Sequence, residues 1–237
     1  MMSASLMSST RRGVRPAVAY GWTTSDYYSG VNGEGRGSIG TVRLVGRLES
    51  LPAASTKVAA GRMNGTATGG WRIDTGSGGS GTINALSGGA SGYNATPNHT
   101  FSGGDVGAIF TLHAWIDGSN YLHLSINGTH IGTSATSYAP ADAGSVPVWI
   151  GRWAGGYACS HIGVIALSAS ATGIDSTAAA ADAARILDSE ARIIPALTGQ
   201  DMHYLARDVM PSGGSWHDRA GDDATLTESG SVTFAWL

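Results

Sequence analysis

Charge is scarce in this chain, and positive charge in particular. Only 13% of its 237 residues are Asp, Glu, Lys or Arg, the formal net charge is −3, and Lys57 is the one lysine. No basic stripe runs through it, which argues against a nucleic-acid partner. The one basic cluster, Arg11, Arg12 and Arg15, sits in a Ser-rich start and is expected to be a solvated tail. Cys159 is alone, so an intrachain disulfide and a cysteine metal site are both excluded. No apolar run approaches the ~20 residues that span a bilayer, so no membrane partner is expected. The first 22 residues lack the continuous apolar segment of a secretory signal. Synthesis in a cytoplasm is the corresponding expectation. Glutamate is scarce as well, found only at Glu34, Glu49, Glu190 and Glu228.

What is abundant is glycine, at 36 residues, together with Ser, Thr and Ala. Such a composition would suit a linker, but 42% hydrophobic residues and seven tryptophans call for a packed core. The combination predicts many short strands joined by Gly-rich turns. Residues 1–16 read as an N-terminal arm and 17–237 as one domain. Strand patterns recur from Val18 to Leu167, as in "TVRLVGRLESL" (41–51), where Val42, Leu44 and Leu48 face one way and Arg43, Val45 and Arg47 the other. "KVAAGRM", "GGWRIDTG", "TINAL", "VPVWIGRW" and "CSHIGVIALS" follow the same logic. One helix is predicted over 175–194, capped by Asp175 or Ser176, ended by Pro195, and laid on a sheet edge. The last 40 residues hold one or two strands, and the terminal "VTFAWL" is too apolar to be free.

The stretch "FTLHAWIDGSNYLHLSING" is a hairpin whose register can be derived. Direct pairing around Asp117–Asn120 would mix apolar and polar side chains on both faces. A one-residue shift, through a bulge at Gly118-Ser119, pairs Ile116 with Leu122, Ala114 with Leu124 and Leu112 with Ile126. That register leaves His113, Trp115, Tyr121 and His123 on the opposite face. They are the candidate ligand-binding or interface set, with Trp71, Trp149 and Trp153 as additions; the alternative, favoured for most of the tryptophans, is packing or interface on a face covered by the terminal strands or a neighbouring subunit. Asp74, Asp105, Asp117 and Asp142 are loop carboxylates, each most cheaply explained as a turn former. No cofactor is expected.

The hairpin, Asp117-Gly118, Asn127-Gly128, Ile150-Gly151, Ala166-Leu167-Ser168 and the following helix resemble, in order and spacing, the laminin-G-like, concanavalin A-like jelly-roll family over residues 40–194. A "SWHDRAGDDAT" stretch near the C-terminus is similar to one that usually comes first in such modules. The resemblance implies an all-β fold: an antiparallel two-sheet jelly-roll sandwich with one short helix. It also implies that a Ca²⁺ ion, held at the sheet rim in some such modules, would use Asp74 and Asp117, with Asp105 and Asp142. Enzymes on this fold use a Glu-x-Asp-x-Glu strand or an Arg-x-Glu-x-Arg strand, and neither is present. Asp222 and Asp223 are adjacent and would point apart, and no Gly-x-Ser-x-Gly elbow occurs. Catalysis is therefore not expected. The reading is a structural or adhesion module in a larger assembly. Its partners are other protein subunits, in a homo-oligomer or in a bacteriophage virion or tail. The alternative is a carbohydrate-binding lectin-like module that takes a surface glycan on an aromatic sheet face.

Overall fold

The computed structural model describes residues 15–30, 39–153, 156–209, 214–220 and 225–237. Arg11, Arg12, Glu34, Asp222 and Asp223 lie outside them. From the N-terminus the strands are β1 (Ala17–Tyr20), β2 (Tyr27–Ser29), β3 (Thr41–Leu48), β4 (Lys57–Met63), β5 (Gly70–Thr75) and β6 (Thr82–Gly89). They continue as β7 (Gly92–Ala95), β8 (His99–Thr100), β9 (Ile109–Ile116), β10 (Leu122–Ile126), β11 (Thr129–Thr133) and β12 (Trp149–Ile150). After β13 (Ile162–Ser170) come the helix α1 (Ser176–Asp188) and then β14 (Gln200–Leu205), β15 (Trp216–His217), β16 (Thr225–Ser229) and β17 (Thr233–Trp236).

These strands form two antiparallel sheets packed face to face, as expected of a jelly-roll sandwich. The helix-side sheet runs β11-β10-β9-β3-β13-β1-β17, with β14 also paired to β13. The far sheet runs β15-β16-β2-β12-β4-β5-β6-β7, with β8 paired to β6. Alternation decides what faces inward. Val42, Leu44 and Leu48 of β3 meet Trp71 and Ile73 of β5 in the inter-sheet core, while Val45 points out of the sandwich. The terminal "VTFAWL" does pair back: β17 lies against β1, with Trp236 opposite Ala17.

Three expectations need correction. The helix stops at Asp188, where Glu190 and Ala191 adopt positive φ, rather than running to 194. Asp175 caps its start by accepting from the Ala178 N–H. The helix covers a sheet face, not an edge: Ile186 packs with Val18, Val45, Ile165 and Leu205 on the outer side of the helix-side sheet. Finally, the last 40 residues contribute four strands, because short segments such as Trp216–His217 gain their strand character from neighbours distant in sequence.

Candidate functional site

The hairpin register is as derived. Ile116 faces Leu122, Ala114 faces Leu124 and Leu112 faces Ile126. The extra residue is taken up later than expected, at Asn120, which sits at φ 67 and closes the Asp117–Tyr121 loop. Asp117 holds this loop by accepting the Ser119 and Tyr121 amides on Oδ1 at 2.8 and 2.9 Å. The following turn has Asn127 and Gly128 both at positive φ, 50 and 79, the geometry that favours Asn-Gly.

The structure does not, however, assemble His113, Trp115, Tyr121 and His123 into one exposed surface. His113 is fully buried under α1, where its Nε2 meets Asp182 Oδ2 at 2.8 Å. Trp115 is only 3% exposed. The His123 ring lies on it at 5.1 Å with an interplanar angle of 6°, so that aromatic face is occupied. His123 donates or accepts on both nitrogens, toward Asp117 Oδ2 at 3.0 Å and toward His130 Nε2 at 3.2 Å. Tyr121 stands apart in the loop, 38% exposed. A depression of about 270 Å³ remains beside the start of α1, between Trp115, Asp117, His123, His130, Ile174, Asp175 and Ser176.

Beneath α1 the cross-strand register aligns Ser125, His113, Arg43, Ser168 and His203 in one buried polar row. Arg43 Nη1 donates to Asp182 Oδ2 at 2.7 Å, and its Nη2 donates to Ser168 Oγ at 3.0 Å and Pro195 O at 2.7 Å. Ser168 Oγ is 2.8 Å from His203 Nδ1. The Ser–His contact is not a nucleophile-base site. The serine is fully buried, and Asp218 accepts the backbone N–H of His203, holding the strand in place. Burial, then the Arg43, Arg219 and Arg207 charges, pushes His203 down to about 4, so it stays neutral. Burial opposes ionisation of Asp182, but the hydrogen bonds and charges of His113 and Arg43 hold its carboxyl below the usual range.

The far sheet carries a different arrangement. In β12, Val148 precedes and Ile150 faces the core, so Trp149 points outward, in register with Gly61 and, across it, Arg72. Gly151 then turns at φ 84, packed so closely on Trp22 that a Cβ would lie 2.2 Å from its ring. This turn returns Arg152 and Trp153 over the same face. Trp153 Nε1 donates to Met63 O at 3.0 Å, and the Arg72 guanidinium lies 4.9 Å from the Trp153 ring centroid. Tyr157, 43% exposed, is 5.7 Å from Trp153. Arg152 sits 4.2 Å over Tyr27 and 5.5 Å over Trp149, and those two rings are 5.4 Å apart. Between Thr56, Val58, Arg72, Trp153 and Tyr157 is a depression of about 230 Å³. Asp74 lies under Arg72, whose Nε is 2.9 and 3.0 Å from its two oxygens. Burial pushes its carboxyl up to about 6 against the opposing pull of Arg72.

The sequence reading offered Trp71, Trp149 and Trp153 as additions to the Trp115 face or as packing, and none of them joins that face. Trp71 is in the core, and Trp149 and Trp153 belong to the opposite sheet from Trp115. It missed Tyr27, Arg72, Arg152 and Tyr157. The alternation of Val148, Trp149 and Ile150 was a usable signal; the pairing of a two-residue strand between β2 and β4 was not. Among the described residues no group of three or more His, Cys, Asp or Glu side chains is arranged to hold a metal ion. The four carboxylates considered for Ca²⁺ have local partners: Asp74 with Arg72, Asp117 and Asp105 in their turns, and Asp142 with the Gly144 amide.

Two stacked antiparallel sheets with a helix on one outer face decide the structural likeness. The fold is similar to the concanavalin A-like jelly rolls. A Bacteroides ovatus protein assigned to carbohydrate binding superposes with a TM-score of 0.56 at 13% identity, over 94% of this chain and 60% of its own length. The chain thus spans less than two thirds of the length of that chain. The heptameric SAP-like pentraxin of Limulus polyphemus superposes with a TM-score of 0.50 at 12% identity, over 96% of this chain and 91% of its own. No family model matches the chain. No curated protein matches it by sequence.

Proposed function

We propose that this chain is a non-catalytic carbohydrate-binding module that takes a saccharide on the outer face of the far sheet. The observation that carries this reading is the set of partly exposed rings, Tyr27, Trp149, Trp153 and Tyr157, interleaved with Arg72 and Arg152, of which Arg72, Trp153 and Tyr157 line a shallow depression. Flat aromatic faces take the apolar side of a sugar ring while nearby polar groups take its hydroxyls. The opposite sheet offers less, since its Trp115 ring is already stacked on His123. The Bacteroides ovatus protein, alike in fold and assigned to carbohydrate binding, supports the same reading.

Glycan-array screening followed by calorimetric titration tests it. Trp153→Ala and Tyr157→Ala should each weaken binding at least tenfold, and Tyr121→Ala should leave it unchanged. A protein that binds no glycan, or one that loses binding through Tyr121→Ala alone, contradicts the proposal.

A second reading, a structural or adhesion module in a homo-oligomer or a bacteriophage virion or tail, draws on the edge of the helix-side sheet. There Trp236 of the edge strand β17 is 47% exposed and Ile193 59% exposed, with Arg192 alongside. Light scattering on the full chain and on a version lacking residues 231–237 separates the two. A defined oligomer that the truncation dissolves favours assembly, and a folded monomer disfavours it.

A further inference from the structure

The polar groups on the far-sheet face are unbalanced in kind. Arg152 Nη1 donates to Thr24 O, and its buried Nε has no acceptor among the described residues. The buried Nε1 of Trp149 has none either. Arg72 spends Nε on Asp74, and its two terminal nitrogens make no hydrogen bond among the described residues. The Trp153 N–H is spent on Met63 O. Asp74, the carboxylate on this face, is buried beneath Arg72. The terminal nitrogens of Arg72, on a partly exposed side chain, are the donors left for a ligand, so the site favours one that brings acceptors.

Charge points the same way. Arg152 forms no ion pair among the described residues, and Arg72 has only the buried Asp74. Both guanidiniums are laid on aromatic faces, 4.2 Å from the Tyr27 centroid and 4.9 Å from the Trp153 centroid. A guanidinium stacked in this way directs its N–H donors outward in its own plane, as a fork that fits a carboxylate or a sulfate. A neutral sugar hydroxyl both donates and accepts, whereas the guanidiniums only donate. A group that only accepts matches it better.

We infer that the saccharide taken by this face is acidic, and that its carboxylate or sulfate is held by Arg152 and Arg72 while its ring lies against Trp153 or Tyr157. The inference rests on the reading of this face as a saccharide surface and adds the chemical class of the ligand.

An array that presents neutral, uronate-containing and sulfated glycans side by side tests it. Each hit is then titrated against its carboxyl-reduced or desulfated form. Hits should be confined to acidic glycans, with uronates and sulfates separating which acid is preferred. Neutralising the ligand should weaken binding at least tenfold, and raising salt should weaken it further. Arg152→Gln and Arg72→Gln should remove most of the difference between acidic and neutral forms, with melting curves showing that both variants remain folded. Neutral hits that depend on Trp153 but not on Arg152 overturn the acidic ligand while leaving the saccharide surface standing. An absence of any hit overturns both.

Discussion

Asp74 and His203 are buried titratable groups whose burial works on stability in opposite senses. The folded Asp74 carboxyl keeps its proton up to about pH 6, whereas an unfolded aspartate loses it near 3.9. Its contribution is therefore fully present below about pH 4 and is lost as pH rises through 6. His203, held down to about 4, contributes fully above the ordinary histidine value of about 6.5. That contribution is lost as pH falls toward 4. The two slopes oppose each other across the same window. Asp74→Asn should raise stability at pH 7 by on the order of 2–3 kcal/mol, and the gain should vanish by about pH 4. Urea denaturation at a series of pH values checks this, and a gain that persisted in acid would contradict it.

At the scale of elements, α1 is fixed by one carboxylate. Asp182 receives both Arg43 and His113, two adjacent members of the buried row beneath the helix. Ala179, Ala183 and Ile186 add a narrow apolar contact. Removing the carboxylate leaves Arg43 charged and buried, and breaking such a pair costs about 3–5 kcal/mol. Asp182→Ala should lower stability by about that much and raise hydrogen exchange along 176–188 before the sandwich opens. Unchanged exchange in the helix would show that apolar contact alone holds it. This element also marks where the sequence ceased to be informative. The hairpin register could be read because both its strands are contiguous and the two possible pairings differ sharply in buried apolar area. The Asp175 cap could be read because it is local. That the helix lies over His113 could not, since it depends on Arg43 and Ser168 being brought into register by strands 125 residues apart.

For the whole molecule, alternation and Gly-rich turns were enough to give many short strands, because those signals repeat along the chain; the two stacked antiparallel sheets followed from the family resemblance. Which outer face stays open was not legible. The answer lies in one helix on one side and in the Gly151 turn on the other, which sets Arg152 and Trp153 beside Arg72. Chemistry that looked continuous in sequence, from Trp115 to Trp153, is divided between opposite sides of the sandwich. The most direct measurement is an NMR titration of the tryptophan side-chain N–H signals with the strongest saccharide from the array. The Trp149 and Trp153 signals should shift together, and those of Trp71 and Trp115 should stay in place. A shift at Trp115 with Trp149 and Trp153 unmoved would put the ligand on the helix side and contradict the account.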